Sequence, residues 1–286
     1  MKTIVVRSYA KINICLDITG KRENGYHDLD MVMVPLELHD TLLITDTPRA
    51  VDNYVTLDDF TIADSEFNTV SKAIEFLDEI HPLNTKFKID LHKVIPMKAG
   101  LGGGSSNAAF TLKGICNYKK ININEEELRK IAVKIGADVP FFIENKPSRC
   151  LGIGDELRPI KIKNDYYVLL VKPEVGCSTK EIFAISDKEK NWPHGNVEQV
   201  VKALEEGDDE LLANSMFNVL ESSSIKLVPE ITDIKNELKE LGLKIVMMTG
   251  SGSAVFALST DKKLIKKAAR QLEEKHQVVI VTKVLK

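Results

Sequence analysis

The chain has 286 residues, which at about 150 residues per domain leads to an expectation of two domains. Apolar residues make up 43% of it, enough for ordinary cores and too many for a disordered chain. With 39 basic and 42 acidic residues the net charge is −3, which excludes a protein that holds nucleic acid or a membrane surface by bulk charge.

In chain order, the first third reads as strands. Ile4 and Val6 alternate with polar neighbours, and Ile12, Ile14 and Leu16 alternate with Lys11, Asn13, Cys15 and Asp17. Residues 21–28 (KRENGYHD) form a charged break containing Gly25. Residues 31–38 and 41–45 are expected as two further strands, 67–80 as a helix and 87–92 as a strand. A glycine cluster over 99–106 precedes a helix whose face carries Ala108, Ala109, Leu112, Ile115 and Cys116. The next helix, 125–135, opens on glutamates and stops at Gly136, both ordinary end signals. Strands are expected at 149–159 and 166–172, and an exposed excursion at 187–195. Helices at 196–206, 209–219 and 229–241 follow, then strands at 244–248 and 254–259, a helix at 262–276 and a strand at 277–284. This order, with local hairpins, predicts two α+β domains rather than a doubly wound parallel sheet.

Cys15, Cys116, Cys150 and Cys177 are far apart and form no CxxC pair, which argues against structural zinc and suits a reducing compartment. Arg7, Lys11 and Asp17 interrupt the N-terminal apolar stretch, so no signal peptide is expected, and no segment has the length to span a bilayer. The expectation is a cytoplasmic protein with no nucleic-acid or membrane partner.

The strongest local feature is PMKAGLGGGSSN, Pro96–Asn107. Its glycines permit positive φ and close backbone approach, so successive N–H groups can form an anion nest ahead of a helix N-terminus. Ser105 and Ser106 add hydroxyls, and the chemistry suggested is polyphosphate binding. A Walker A loop would need Lys after its last glycine, where Ser105 stands. A dinucleotide fingerprint would need an acid about 20 residues on, where Tyr118, Lys119 and Lys120 stand. The plain alternative is a flexible turn and helix cap.

Lys11 and Asn13 lie two apart on a strand, so their side chains share one face opposite Ile12 and Ile14. They suit an anion or a hydroxyl, or else an ordinary solvated face. Asp138, between Gly136 and Pro140, stands near a helix N-terminus, where an aspartate is normally a cap. Capping of this kind favours an ionised carboxylate, and such a group can also orient a hydroxyl or take its proton. Tyr26 and His27, on a loop tip, suit a heterocyclic base by stacking and edge bonding, with a bystander loop as the alternative. The turn Thr249–Ala254 either closes a site or is a simple hairpin.

The order of these features is specific. PMKAGLGGGSSNAA resembles the phosphate loop of the GHMP kinases, the superfamily of galactokinase, homoserine kinase and mevalonate kinase. Within it SYAKINICLDITGKRENGYHDLD, GADVPFF, STKEIF and MTGSGSAVF resemble the branch that acts on 4-diphosphocytidyl-2-C-methyl-D-erythritol. The resemblance implies transfer of the γ-phosphoryl of ATP to the 2-hydroxyl of that cytidine diphosphate-linked methylerythritol, with Mg²⁺, in the non-mevalonate route to isoprenoid precursors. It implies a two-domain α+β fold. Residues 1–160 would be a ribosomal protein S5 domain 2-like N-terminal domain, and 161–286 a ferredoxin-like C-terminal domain. Carried over by residue, it implies Asp138 and Lys11 as catalytic. Pro96, Gly100, Leu101, Gly102, Gly103, Gly104, Ser105 and Ser106 would bind ATP, with Ser106 a candidate for the metal. Asn13, Tyr26, His27, Thr179 and Phe183 would bind substrate, Tyr26 and His27 at the cytosine. A monomer or weak homodimer is expected. Homoserine or mevalonate as acceptor, or a nucleotide-binding module without catalysis, are the competing readings.

Overall fold

The computed structural model describes residues 2–57, 60–61, 68–189 and 192–286. The chain forms two compact units, each assembled from three stretches of sequence. One holds residues 1–10, 38–95 and 102–145; the other holds 11–37, 96–101 and 146–286. Two long strands, β1 (Thr3–Lys21) and β2 (His27–Thr47), contribute to both. The turn between them closes with the Arg22 amide donating to the Tyr26 carbonyl at 2.7 Å, and Gly25 takes φ +85° there. The expected break between residues 38 and 41 does not occur. Asp40 stays in β2, fully buried, because its carboxylate is used: it accepts from the Val94 and Ile95 amides at 2.8 Å and from Lys93 Nζ at 2.5 Å.

In the first unit, β3 (Tyr54–Leu57) pairs antiparallel with β4 (Phe60–Thr61) and parallel with β5 (Lys86–His92). The second half of β2 pairs antiparallel with β5, Thr41 opposite His92 through Thr47 opposite Lys86. Helix α1 (Asn68–Ile80) lies within the predicted 67–80; Phe67 is outside the described residues. Helices α2 (Gly103–Lys119), α3 (Glu125–Ile135) and α4 (Val139–Glu144) pack on one another, and α2 and α3 pack on α1. Buried Ile44, Phe87, Ile89, Val70, Ile74, Leu112 and Ile115 form this core. Gly114 of α2 sits against the strands so closely that a Cβ would lie 2.9 Å from Val6 and 3.0 Å from Ile44.

In the second unit, β6 (Ser148–Gly152) pairs with the first half of β2, Leu29 opposite Gly152 through Met33 opposite Ser148. The single strand predicted over 149–159 is a hairpin, because Gly152 and Gly154 take positive φ and turn the chain into β7 (Glu156–Pro159). Strand β8 (Tyr167–Lys172) leads to α5 (Thr179–Ser186), which periodicity did not predict. Then come α6 (Val197–Glu206), α7 (Asp209–Ser215), α8 (Glu221–Leu227) and α9 (Glu230–Glu240). The predicted helix 209–219 stops at Ser215, because Leu16 of β1 takes up the chain beyond it. Its amide donates to the Phe217 carbonyl, and its carbonyl accepts from the Val219 amide, both at 3.0 Å. Strands β9 (Ile245–Met248) and β10 (Val255–Ser259), helix α10 (Lys262–Leu272) and β11 (Val278–Lys283) complete an antiparallel sheet in the order β11-β8-β10-β9. Helix α10 is capped by Asp261 and buries Ile265, Ala268, Ala269 and Leu272, the spacing of one apolar face. Among the described residues no helix is long and apolar enough to cross a membrane.

Candidate functional site

In the first unit, Gly102 stands before α2 with φ 70° and ψ 16°, a left-handed conformation that glycine adopts without Cβ strain. It turns the chain so that Gly103, Gly104, Ser105 and Ser106 form the first helical turn rather than preceding it, as the sequence suggested. The first intrahelical bond is donated by the Ser106 amide to the Gly102 carbonyl at 2.9 Å. The amides of Gly103, Gly104 and Ser105 therefore precede the ladder and stand at the positive helix end. That turn carries no acidic side chain. Ser106 is fully buried, and its hydroxyl has no hydrogen-bond partner among the described residues. Lys93, held by Asp40, brings its ammonium to 3.0 Å from where a Gly103 Cβ would stand. A cation beside the positive end of a helix suits a site for a polyanion.

Asp138 ends the link from α3 and stands at the N-cap of α4. It takes helical φ and ψ (−82°, −9°) and makes no side-chain cap bond. Its capping role, expected from local sequence, is therefore absent. Helix α4 is fixed instead by burial of Val139–Ile143, by an edge contact between the Phe141 and Phe142 rings, and by Lys113 of α2 donating to the Ile143 carbonyl at 2.7 Å.

In the second unit, Lys11 and Asn13 are 3% and 1% exposed, so the solvated-face reading fails; β1 is buried on both faces here. Lys11 Nζ donates to Asn13 Oδ1 at 2.6 Å, and Asn13 Nδ2 reaches Met31 Sδ at 3.3 Å. The Lys11 amide donates to the Leu101 carbonyl at 3.1 Å, which ties β1 to the glycine loop. The turn 249–254 is both a hairpin between β9 and β10 and a brace for this loop. Thr249 Oγ1 accepts from the Asn13 amide at 3.0 Å and donates to the Gly100 carbonyl at 3.4 Å. Gly100 has φ +75°, and a Cβ there would lie 2.1 Å from the Thr249 carbonyl oxygen. Asn218 Nδ2 donates to the carbonyls of Met248 and Gly250 at 3.0 and 2.8 Å, and Ser224 Oγ donates to that of Ser251 at 3.0 Å. Ser251 Oγ is 2.9 Å from Thr179 Oγ1. Lys11, Asn13, Gly100, Leu101 and Thr179 thus belong to one bonded network.

A second cluster surrounds His27. Tyr26 is 55% exposed at the turn, but His27 is only 8% exposed, so the loop-tip description holds for Tyr26 alone. The His27 ring stacks on Phe183 at 4.7 Å between centroids and meets the edge of Trp192 at 5.8 Å. Its Nε2 lies 2.6 Å from Asp187 Oδ1, while Lys21 Nζ holds Oδ2 at 2.6 Å. Burial pushes the Asp187 carboxyl up, but the hydrogen bonds from Lys21 and His27 outweigh it and hold the group below the usual carboxylate range. The segment expected as an exposed excursion, of which residues 190–191 lie outside the described residues, thus supplies two groups to His27. The one local signal for this was the four-residue spacing of Phe183 and Asp187, which puts both on one face at the end of α5.

Two family models match the chain: the GHMP kinases N terminal domain over residues 68–146 and the GHMP kinases C terminal over 200–277. A 4-diphosphocytidyl-2-C-methyl-D-erythritol kinase of Clostridium beijerinckii is 36% identical over 98% of this chain and 99% of its own. One of Lachnoclostridium phytofermentans is 38% identical over 94% and 92%. A crystal structure of 4-(cytidine 5'-diphospho)-2C-methyl-D-erythritol kinase superposes with a TM-score of 0.81 at 27% identity, covering 98% of this chain and 99% of that one. Homoserine kinase from Cytophaga hutchinsonii shares the fold at a TM-score of 0.76 and 19% identity, over 99% and 96%. The two-domain α+β fold is that of the GHMP kinases, and this chain belongs to that superfamily and, within it, to the 4-diphosphocytidyl-2-C-methyl-D-erythritol kinase family.

Proposed function

We propose that the protein transfers the γ-phosphoryl of ATP to the 2-hydroxyl of 4-diphosphocytidyl-2-C-methyl-D-erythritol, in the non-mevalonate route to isoprenoid precursors. The observation that carries the phosphoryl chemistry is the start of α2: three amides ahead of the helical ladder, a left-handed Gly102 and the buried, unpartnered Ser106 hydroxyl. The acceptor is supported by full-length similarity to the clostridial kinases and by the aromatic cluster at His27.

Phosphoryl transfer leaves a protein little covalent chemistry, so positioning and charge neutralisation carry it. The amides of Gly103, Gly104 and Ser105 hold phosphate oxygens and need no reorganisation as charge develops. Lys11, its ammonium oriented by Asn13, adds positive charge at the transferring group. Asp138, at the N-cap of α4, orients the attacking hydroxyl and receives its proton. A magnesium ion arriving with a triphosphate needs only one or two protein oxygens, and Ser106 Oγ fits as one. The metal, when bound, neutralises phosphate charge. Pro96, Gly100 and Leu101 complete the nucleotide loop; Asn13, Tyr26, His27, Thr179 and Phe183 hold the acceptor. A reducing cytoplasmic setting agrees with Cys15, Cys116 and Cys177, which are buried and form no disulfide.

The test is ADP release measured with the cytidyl substrate, homoserine and mevalonate in parallel. Turnover is expected with the first alone; equal or greater turnover with either of the others overturns the assignment.

A further inference from the structure

An aspartate at the C-terminal end of a helix faces the negative end of the helix dipole, a costly place for a carboxylate. Asp187 occupies that place on α5. Its amide donates to the Phe183 carbonyl at 2.9 Å, so one helical turn carries both the ring that stacks on His27 and the carboxylate that holds it. Lys21 takes the other carboxylate oxygen and offsets the charge. The side chain of Asp187 is 24% exposed, and Trp192 closes the edge of the imidazole. Three elements therefore converge to fix one ring.

An ionised carboxylate only accepts hydrogen bonds, so the neutral imidazole must carry its proton on Nε2 and present a lone pair on Nδ1. Nδ1 makes no hydrogen bond among the described residues. We propose that Asp187 is a positioning residue for base selection: it fixes the ring and tautomer of His27 so that Nδ1 accepts from the exocyclic amine of a 4-aminopyrimidine and opposes the carbonyl of a 4-oxopyrimidine. The inference rests on the proposed function, which puts a cytidine diphosphate derivative at this cluster, and adds how the amino base is told from its oxo analogue. A buried acceptor facing a second acceptor leaves both unpaired, and such mismatches give large discrimination.

The experiment compares kcat/KM for the cytidyl substrate and its uridyl analogue in wild type, Asp187→Ala and Asp187→Asn. The imidazole ¹⁵N shifts of His27 are recorded in the same proteins. Wild type is expected to favour the cytidyl substrate by at least about 100-fold. Asp187→Ala should raise KM for it about tenfold or more with kcat within about twofold, and reduce the preference about tenfold. Asp187→Asn, which keeps an acceptor oxygen, should restore most of the preference. The wild-type shifts should show Nε2 protonated and Nδ1 bare. A folded Asp187→Ala protein with the wild-type preference, or a proton on wild-type Nδ1, overturns this proposal while leaving the kinase assignment standing. A wild-type protein inactive on the cytidyl substrate overturns the assignment and the base selection together.

Discussion

Asp138 sits where a cap belongs and does not cap, so its carboxylate adds little to the stability of α4 through that route. Asp138→Ala is accordingly expected to lower turnover by about 10²–10⁴-fold. The nucleotide-induced rise in melting temperature should match that of wild type, since the amides of α2 are untouched. Calorimetry beside single-turnover kinetics separates the two; a lost nucleotide effect would assign Asp138 to binding rather than chemistry. At this scale the sequence was informative about identity and less so about environment. The pairing of Lys11 with Asn13 followed from their two-residue spacing, but their burial did not. It arises from segments distant in sequence, where Leu101 meets the Lys11 backbone and Thr249 the Asn13 backbone. Asp187 escaped notice for the same reason, standing 160 residues from the imidazole it holds.

Among the elements, the Gly100 turn is the tightest fit. Any side chain there meets the Thr249 carbonyl and must adopt φ +75°. Gly100→Ala should cost at least about 2 kcal/mol, because backbone must move on both sides of the contact. Gly25→Ala, with a similar φ and nothing within 4 Å, should cost only about 1 kcal/mol. Thermal unfolding of the two variants checks the difference, and equal losses would show that the brace between the loop and the 249–254 turn carries no weight. Long periodic elements such as α3 and α10 were legible because each has a cap and a single apolar face. The short helices α5 and α8 were not. Each spans about two turns, too few for a period to show, and α8 is fixed from outside, with Glu221 accepting from Met248 of β9 at 3.1 Å. The unbroken β2 was missed because Asp40 reads as a break until its three donors are seen.

For the molecule as a whole, acid should be the damaging direction. Asp90, Asp187 and Glu237 each pay for burial, yet hydrogen bonds from Lys88 and Thr56, from Lys21 and His27, and from His276 and Lys275 hold them below ordinary values. A carboxylate whose folded value lies below its unfolded one stabilises the fold above the unfolded value, about 4, and loses that contribution as pH falls through the folded value. The melting temperature should be level from pH 7 to about 5 and fall below about 4. The triple variant Asp90→Asn, Asp187→Asn, Glu237→Gln should show a shallower fall; an identical acid limb would show that these bonds contribute nothing to folding.

The interleaving of the two units also sets an order for synthesis. A nascent chain that has cleared the ribosome to Asn145 holds every residue of the first unit, the amide-lined start of α2 and Asp138 included. The stretch from Lys11 to Glu37 meets Leu101 early, through the Lys11 amide, but completes its unit late. It carries Lys11, Asn13 and His27, and its partners Phe183, Asp187, Asn218 and Thr249 are translated only in the second half of the chain. Apolar strand surface there waits for its cover for roughly ten seconds at about 10 residues per second. A message cut short after the first unit therefore yields a product that carries Gly103–Ser106 and Asp138 but lacks Phe183 and Asp187, the groups that fix His27.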